Sequence, residues 1–136
     1  MITIVDAGPL YASVDTRDRN HDRCAGVLDR QDLTFVVPAL VIAEVAYLIE
    51  DRLGPRIEAA FMRGLSDIEV QAPEVEDWSA IADLVERYAD FPLGAADASV
   101  AVLAERLGTD VIVTLDRRQF GAMRTRDGRP FTLLPD

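Results

Sequence analysis

Apolar residues along this chain fall in short continuous runs that alternate with longer stretches of helical spacing. Ile2 to Val5 is a strand-like run closed by Asp6, and Ala7-Gly8-Pro9-Leu10-Tyr11-Ala12 turns into a helix with proline in its first turn. Asp15 to Asp22 is dense in charge and turn formers, after which Cys24, Val27 and Leu28 predict a surface helix. Leu33 to Val37 reads as a second strand closed by Pro38, and Ala39 to Arg52 as a helix stopped by Gly54-Pro55. Arg56 to Leu65 predicts another helix and Ile68 to Gln71 a third strand. Pro73 to Tyr88 is amphipathic, with Trp78, Ile81, Ala82 and Val85 on one side and Trp78 expected in the core. A helix opening at Gly94-Ala95-Ala96-Asp97 ends at Leu107-Gly108, and the strand Val111 to Leu115 delivers Asp116. A short helix through Gln119-Phe120, a loop centred on Asp127-Gly128 and a last strand, Phe131 to Leu134, complete the chain. Strands alternating with helices predict an α/β fold, a mainly parallel sheet of roughly five strands covered on both faces. With no linker or repeat, residues 1–136 are expected to form a single domain.

The chemistry of the chain lies in its acids. An open parallel sheet forms its sites outside the carboxyl ends of the strands, where Asp6 and Asp116 are expected. Glu44 lies mid-helix with Leu40, Val41, Tyr47 and Leu48 three and four residues away, which predicts a place on the buried stripe. Asp97 opens an apolar helix. Each has a plainer role open to it: Asp6 and Asp116 as N-caps, Asp97 as a cap or a partner of the helix dipole. Glu44 has no cap role, and an unpaired carboxylate among apolar residues costs several kcal/mol or takes up a proton.

Charge sharpens this picture. All 14 basic residues are arginine, against 24 acids, for a net charge of -10, which globally disfavours adhesion to nucleic acid. The stretch from Arg117 to Arg129 departs from it, with five arginines and one acid, 5 - 1 = +4. Arg117 and Arg118 are suited to RNA phosphate or to pairing with surface acids. One cysteine, Cys24, and one histidine, His21, make neither a disulfide nor a zinc set; Cys24 is expected to pack and His21 to lie in an exposed loop. No apolar run approaches a membrane span and no leader precedes the first strand, so the expected location is cytoplasmic. Clustered carboxylates need cations, and oxygen-only ligands suit magnesium or manganese, the chemistry of phosphodiester hydrolysis.

Four segments together resemble a PIN-domain ribonuclease, and more narrowly the VapC toxins of bacterial VapBC toxin-antitoxin pairs. They are Ile4-Val5-Asp6-Ala7-Gly8-Pro9-Leu10, Val41-Ile42-Ala43-Glu44-Val45, Gly94-Ala95-Ala96-Asp97-Ala98-Ser99 and Thr114-Leu115-Asp116-Arg117-Arg118-Gln119-Phe120. The resemblance implies an α/β/α sandwich and a Mg2+- or Mn2+-dependent endoribonuclease. Asp6, Glu44, Asp97 and Asp116 would form its metal-binding catalytic quartet. It also implies a structured RNA substrate such as transfer or ribosomal RNA, a homodimer, and a cognate VapB-type antitoxin that covers the site. Many relatives carry Thr-Ser after the first acid where this chain has Ala7-Gly8, so a hydroxyl for the metal or substrate must come from elsewhere. Thr114 and Ser99 are the candidates, with Ser99 expected to bond its own helix.

Two readings from other classes compete. A phospho-acceptor receiver domain is also α/β and acidic, but relies on paired acids after its first strand and a lysine near its last; this chain has Asp6 alone and no lysine. The other is a PIN-like binding module without catalysis. Nothing in the carboxylates themselves separates RNA from DNA, since only contacts to the 2′-hydroxyl do so.

Overall fold

The computed structural model describes all residues, Met1–Asp136. Its centre is one five-stranded sheet in the order β3-β2-β1-β4-β5, every pairing parallel. The strands are β1 (Ile2–Val5), β2 (Thr34–Pro38), β3 (Glu69–Gln71), β4 (Val111–Val113) and β5 (Thr132–Leu134). The expected α/β class and parallel sheet are therefore present, and helices flank the sheet.

The connections are helical, as parallel pairing requires. Between β1 and β2 run α1 (Ala7–Val14) and α2 (His21–Leu28), and between β2 and β3 run α3 (Ala39–Leu53) and α4 (Pro55–Gly64). The chain then crosses the sheet through α5 (Asp77–Arg87) and α6 (Ala95–Leu107) to β4, and α7 (Arg117–Ala122) precedes β5. Gly108 ends α6 in the left-handed conformation, φ 70°, that side chains disfavour.

Helix α6 is the central one. Ala98 to Ala104 are all buried, and it packs on β1, β2 and β4 and against α3 and α5, as expected of a helix apolar on every side. Its last turn is tied to α5 by Arg106, whose guanidinium meets Glu74 at 2.9 Å and Asp77 at 3.1 Å.

Helix α5 corrects the predicted face. Trp78 is 54% exposed and Val85 36%, while Ile81 is buried. The contact to the core runs through Ile81 with Ala80, Leu84 and Tyr88 half-buried beside it. An exposed large apolar residue is ordinary on a protein surface, and Trp78 drew the predicted stripe to the wrong side.

The apolar faces of α3 and α4 serve the core in part: Ile42, Val45 and Ile49 are buried, and Phe61 and Leu65 pack against the core half-buried. Cys24 is buried, as its packing role requires. His21 is not in a loop; it opens α2, and its Nδ1 lies 2.8 Å from the Ala12 carbonyl.

Candidate functional site

β1 and β4 are adjacent and parallel, with Val5 beside Val113. Their next residues therefore emerge together at the carboxyl edge of the sheet. The Asp6 N–H still donates to the Val113 carbonyl at 2.9 Å, extending the ladder by one residue. That bond draws the Asp6 side chain into the fold, where the residue is 4% exposed.

Thr114, buried at 1% exposure, joins the two arms. Its hydroxyl donates to Asp6 Oδ2 at 2.8 Å and accepts the Asp116 N–H at 3.0 Å. Of the two hydroxyl candidates, Thr114 is the one that bonds the acids. Ser99 donates to its own helix at the Ala96 carbonyl, 2.5 Å away, as expected.

The two strand-end acids differ in their local bonding. Asp6 stands at the N-cap position of α1 without any side-chain cap bond. Its Oδ1 is buried and has no hydrogen-bond partner. Asp116 does cap its helix, Oδ1 accepting the Gln119 N–H at 3.0 Å, and the residue is exposed.

Asp97 lies half-buried in the first turn of α6, after the N-cap Gly94, whose backbone hydrogen bond favours the ionised carboxyl. Glu44 differs from expectation. It is exposed, because the buried stripe of α3 is Val41, Ile42, Val45 and Ile49. Two of the apolar residues that framed it, Leu40 and Tyr47, are not core; Tyr47 is 66% exposed. Glu44 stands at the rim instead of beneath it.

Three of the acids nonetheless carry raised proton affinity, in part from their neighbours' charges. Burial above all pushes the Asp6 carboxyl up from 3.8 to about 6, with Glu44 and Asp116 adding repulsion and the Thr114 hydroxyl opposing it. Burial also lifts Asp97 to about 6, reinforced by the charges of Asp6 and Asp116. Glu44, though exposed as a residue, is raised by partial desolvation of its carboxyl and by Asp97. No arginine offsets these charges. As the side chains stand, no three of them meet at a common metal-ligating point. Their oxygen-only donors and the partnerless Asp6 Oδ1 fit a hard divalent cation in chemistry.

The arginine stretch is largely occupied by the fold. Arg117 donates to the Pro135 carbonyl at 3.0 Å, Arg124 to the Gly121 and Met123 carbonyls at 2.8 Å, and Arg129 pairs with Asp110 at 3.0 Å. Arg118 lies over the Phe91 ring, 5.7 Å from its centre. It is an exposed cation two residues after Asp116 that makes no salt bridge. Sequence reasoning passed over Gln119, whose amide Nε2 donates to the Phe91 carbonyl at 2.9 Å and to that of Pro92 at 3.4 Å. A lone glutamine early in a short helix carries no signal of such a contact.

A parallel sheet with acids gathered at the carboxyl ends of its central strands is the build of a PIN domain, and the PIN domain family profile matches residues 3–124. Over 137 aligned residues the chain is 36% identical to ribonuclease VapC26 of Mycobacterium tuberculosis, covering 97% of this chain and 99% of the relative. The crystal structure of M. tuberculosis VapC20, a sarcin-ricin loop cleaving toxin, superposes with a TM-score of 0.74 at 16% identity, over 81% of this chain and 86% of that one. VapBC2 from Rickettsia felis, bound to a DNA fragment from its promoter, gives 0.67 at 14% identity over 98% and 97%. The chain belongs to the PIN-domain family and, within it, to the VapC toxins.

Proposed function

We propose that this chain is a magnesium- or manganese-dependent endoribonuclease, the toxin of a type II toxin-antitoxin pair, with Asp6, Glu44, Asp97 and Asp116 as its metal-binding catalytic acids. The observation that carries the reading is Asp6 Oδ1, a buried carboxylate oxygen without a donor, in a cluster where burial and neighbouring charge raise the proton affinity of Asp6 and Asp97. A buried anion without a partner is costly, and a divalent cation would relieve Asp6 and Asp97 together.

When bound, such a cation acidifies a water and neutralises charge on the phosphate. The remaining work belongs to the chain. Thr114 fixes Asp6 Oδ2 and leaves Oδ1 without a hydrogen-bond partner. Asp116 Oδ1 is committed to its helix, which holds the carboxylate in one orientation. Glu44, exposed at the rim, is free to swing toward the cluster. Asp6 and Asp97 release their protons above pH about 6, and ligation needs the deprotonated form. Arg118 is the cation placed to meet an RNA phosphate, with Arg117 beside it in the chain. Structured RNA, such as transfer or ribosomal RNA, is the substrate class this reading takes, and a VapB-type antitoxin and a second copy of the chain are its partners.

The test is cleavage of a small-RNA pool by antitoxin-free protein with Mg2+ or Mn2+, with and without chelator, beside Asp97→Asn. Chelator-sensitive cutting that the variant loses is the expected result. Metal-replete protein that binds RNA without cutting it would make the chain a PIN-like binding module, and cutting of DNA alone would change the substrate.

A further inference from the structure

The loop that feeds Asp97 into α6, residues 88–94, has no strand or helix of its own. Within it Leu93 is buried at 4% exposure, anchoring one side chain in the core. Its other attachment comes from the first turn of α7. The Gln119 side chain donates to the carbonyls of Phe91 and Pro92, and Arg118 lies over the Phe91 ring. The same Gln119 holds Asp116 through its backbone, its N–H donating to Asp116 Oδ1. One residue therefore grips both arms of the acid cluster: Asp116 directly, and Asp97 through the three residues between Pro92 and Ala96 that lead into its helical turn.

The chemistry of the amide suits this task. Two carbonyl acceptors require the NH2 end of the side chain, which fixes its orientation and leaves Gln119 Oε1 buried without a partner. Leaving a buried acceptor unsatisfied is unfavourable. The structure carries that cost at a residue tying the two halves of the site together.

We propose that Gln119 is a positioning residue that sets the separation of Asp97 and Asp116. This rests on the reading of those acids as cation ligands. Gln119→Leu keeps the bulk and the backbone N–H but removes the amide donors, and Gln119→Glu replaces them with oxygens that the two carbonyls repel. Two measurements on full-length protein separate the clamp from the metal site. Hydrogen exchange of residues 89–97 in metal-free protein reads the clamp alone. Mn2+ titration calorimetry reads its consequence, alongside the KM and kcat of RNA cleavage. Both variants are expected to exchange faster in 89–97 while β1 and β4 stay protected, and to bind Mn2+ about ten-fold more weakly. Their kcat falls with KM for RNA unchanged. Unchanged exchange and unchanged Mn2+ affinity in both variants would overturn the proposal. Faster exchange in variants of a wild-type protein that binds no Mn2+ would leave the clamp standing and remove the metal reading. Loss of protection throughout the sheet in both variants would make Gln119 a folding residue and overturn the positioning role.

Discussion

Asp6 and Asp116 each follow a central parallel strand and each stand one residue before a helix, yet Asp6 is 4% exposed and caps nothing while Asp116 is exposed and caps α7. Their local sequences predict the same thing, an acid at a strand-to-helix junction. Depth separates them. Asp6 N–H is captured by β4 and its carboxylate by Thr114, so the side chain turns inward, where burial raises its proton affinity against the opposing Thr114 bond. Asp116 leaves β4 two residues further on, beyond Thr114 and Leu115, and its carboxylate turns back to the nearest helix N–H. The junctions thus divide the labour, one storing an unsatisfied charge and the other an orientation.

The largest effect expected from breaking this contrast is at Asp6. Asp6→Asn should lower RNA cleavage by on the order of a thousandfold while making metal-free protein more stable at pH 7.5. The sign follows from the proton count. Between pH 3.8 and about 6 native Asp6 keeps a proton that the unfolded chain has released, so its contribution to stability falls as pH rises through that window. At full effect the difference is worth roughly 3 kcal/mol, and the variant removes it. Thermal melts of wild type and variant from pH 3.5 to 8 should converge at the acid end, diverge between pH 3.8 and about 6 and stay apart above it; parallel melts would show that the charge is already relieved.

Second in size is the cation itself. Mn2+ should raise the melting temperature of wild type markedly at pH 7.5 and little at pH 5, where Asp6 and Asp97 hold protons. Equal shifts at both pH values would place its binding elsewhere.

Thr114→Val removes the bond between the junctions. The loss of a donor to a buried carboxylate costs about 1–3 kcal/mol, and the acid limb of the pH-rate profile should move to higher pH because the Thr114 bond lowers the Asp6 value. A stability loss without that move would confine Thr114 to packing.

The smallest effect isolates the cap. Asp116→Ala should destabilise by about 1 kcal/mol, whereas Asp116→Asn, itself a good N-cap, should not; both should lose cleavage. Denaturant midpoints of the pair measure the difference, and equal midpoints would mean that α7 does not depend on its cap.

What the sequence made legible follows a physical line. Strand runs are set by local patterning, so Asp6 and the parallel sheet could be read from short runs of residues, while β4 ends at Val113, two residues before the predicted Leu115, and Asp116 stands beyond it. Helix faces are set by what lies opposite. For Glu44 and Trp78, neighbours three and four residues away were apolar, but Tyr47, Trp78 and Val85 face water, and the true stripes lie to one side. Periodicity gives the angle between residues on a helix, not which angle meets the sheet. The hydroxyl of Thr114 was foreseeable from its place two residues before Asp116. The contact of Gln119 with Phe91 joins residues 28 apart through a loop without periodicity, and nothing local announces it.

The sheet order has a consequence for how such a molecule opens. β1 lies in the middle, between β2 and β4, and Thr3, Ile4 and Val5 are all essentially without solvent contact. Segments of that kind open only in global unfolding, while edges such as β3 and β5 open locally at lower free energy. The acids at the ends of β1 and β4 are thus fastened to the slowest-opening part of the chain. Local melting at the periphery leaves them assembled, and a protease must wait for the whole domain to open before it can reach the Asp6 junction.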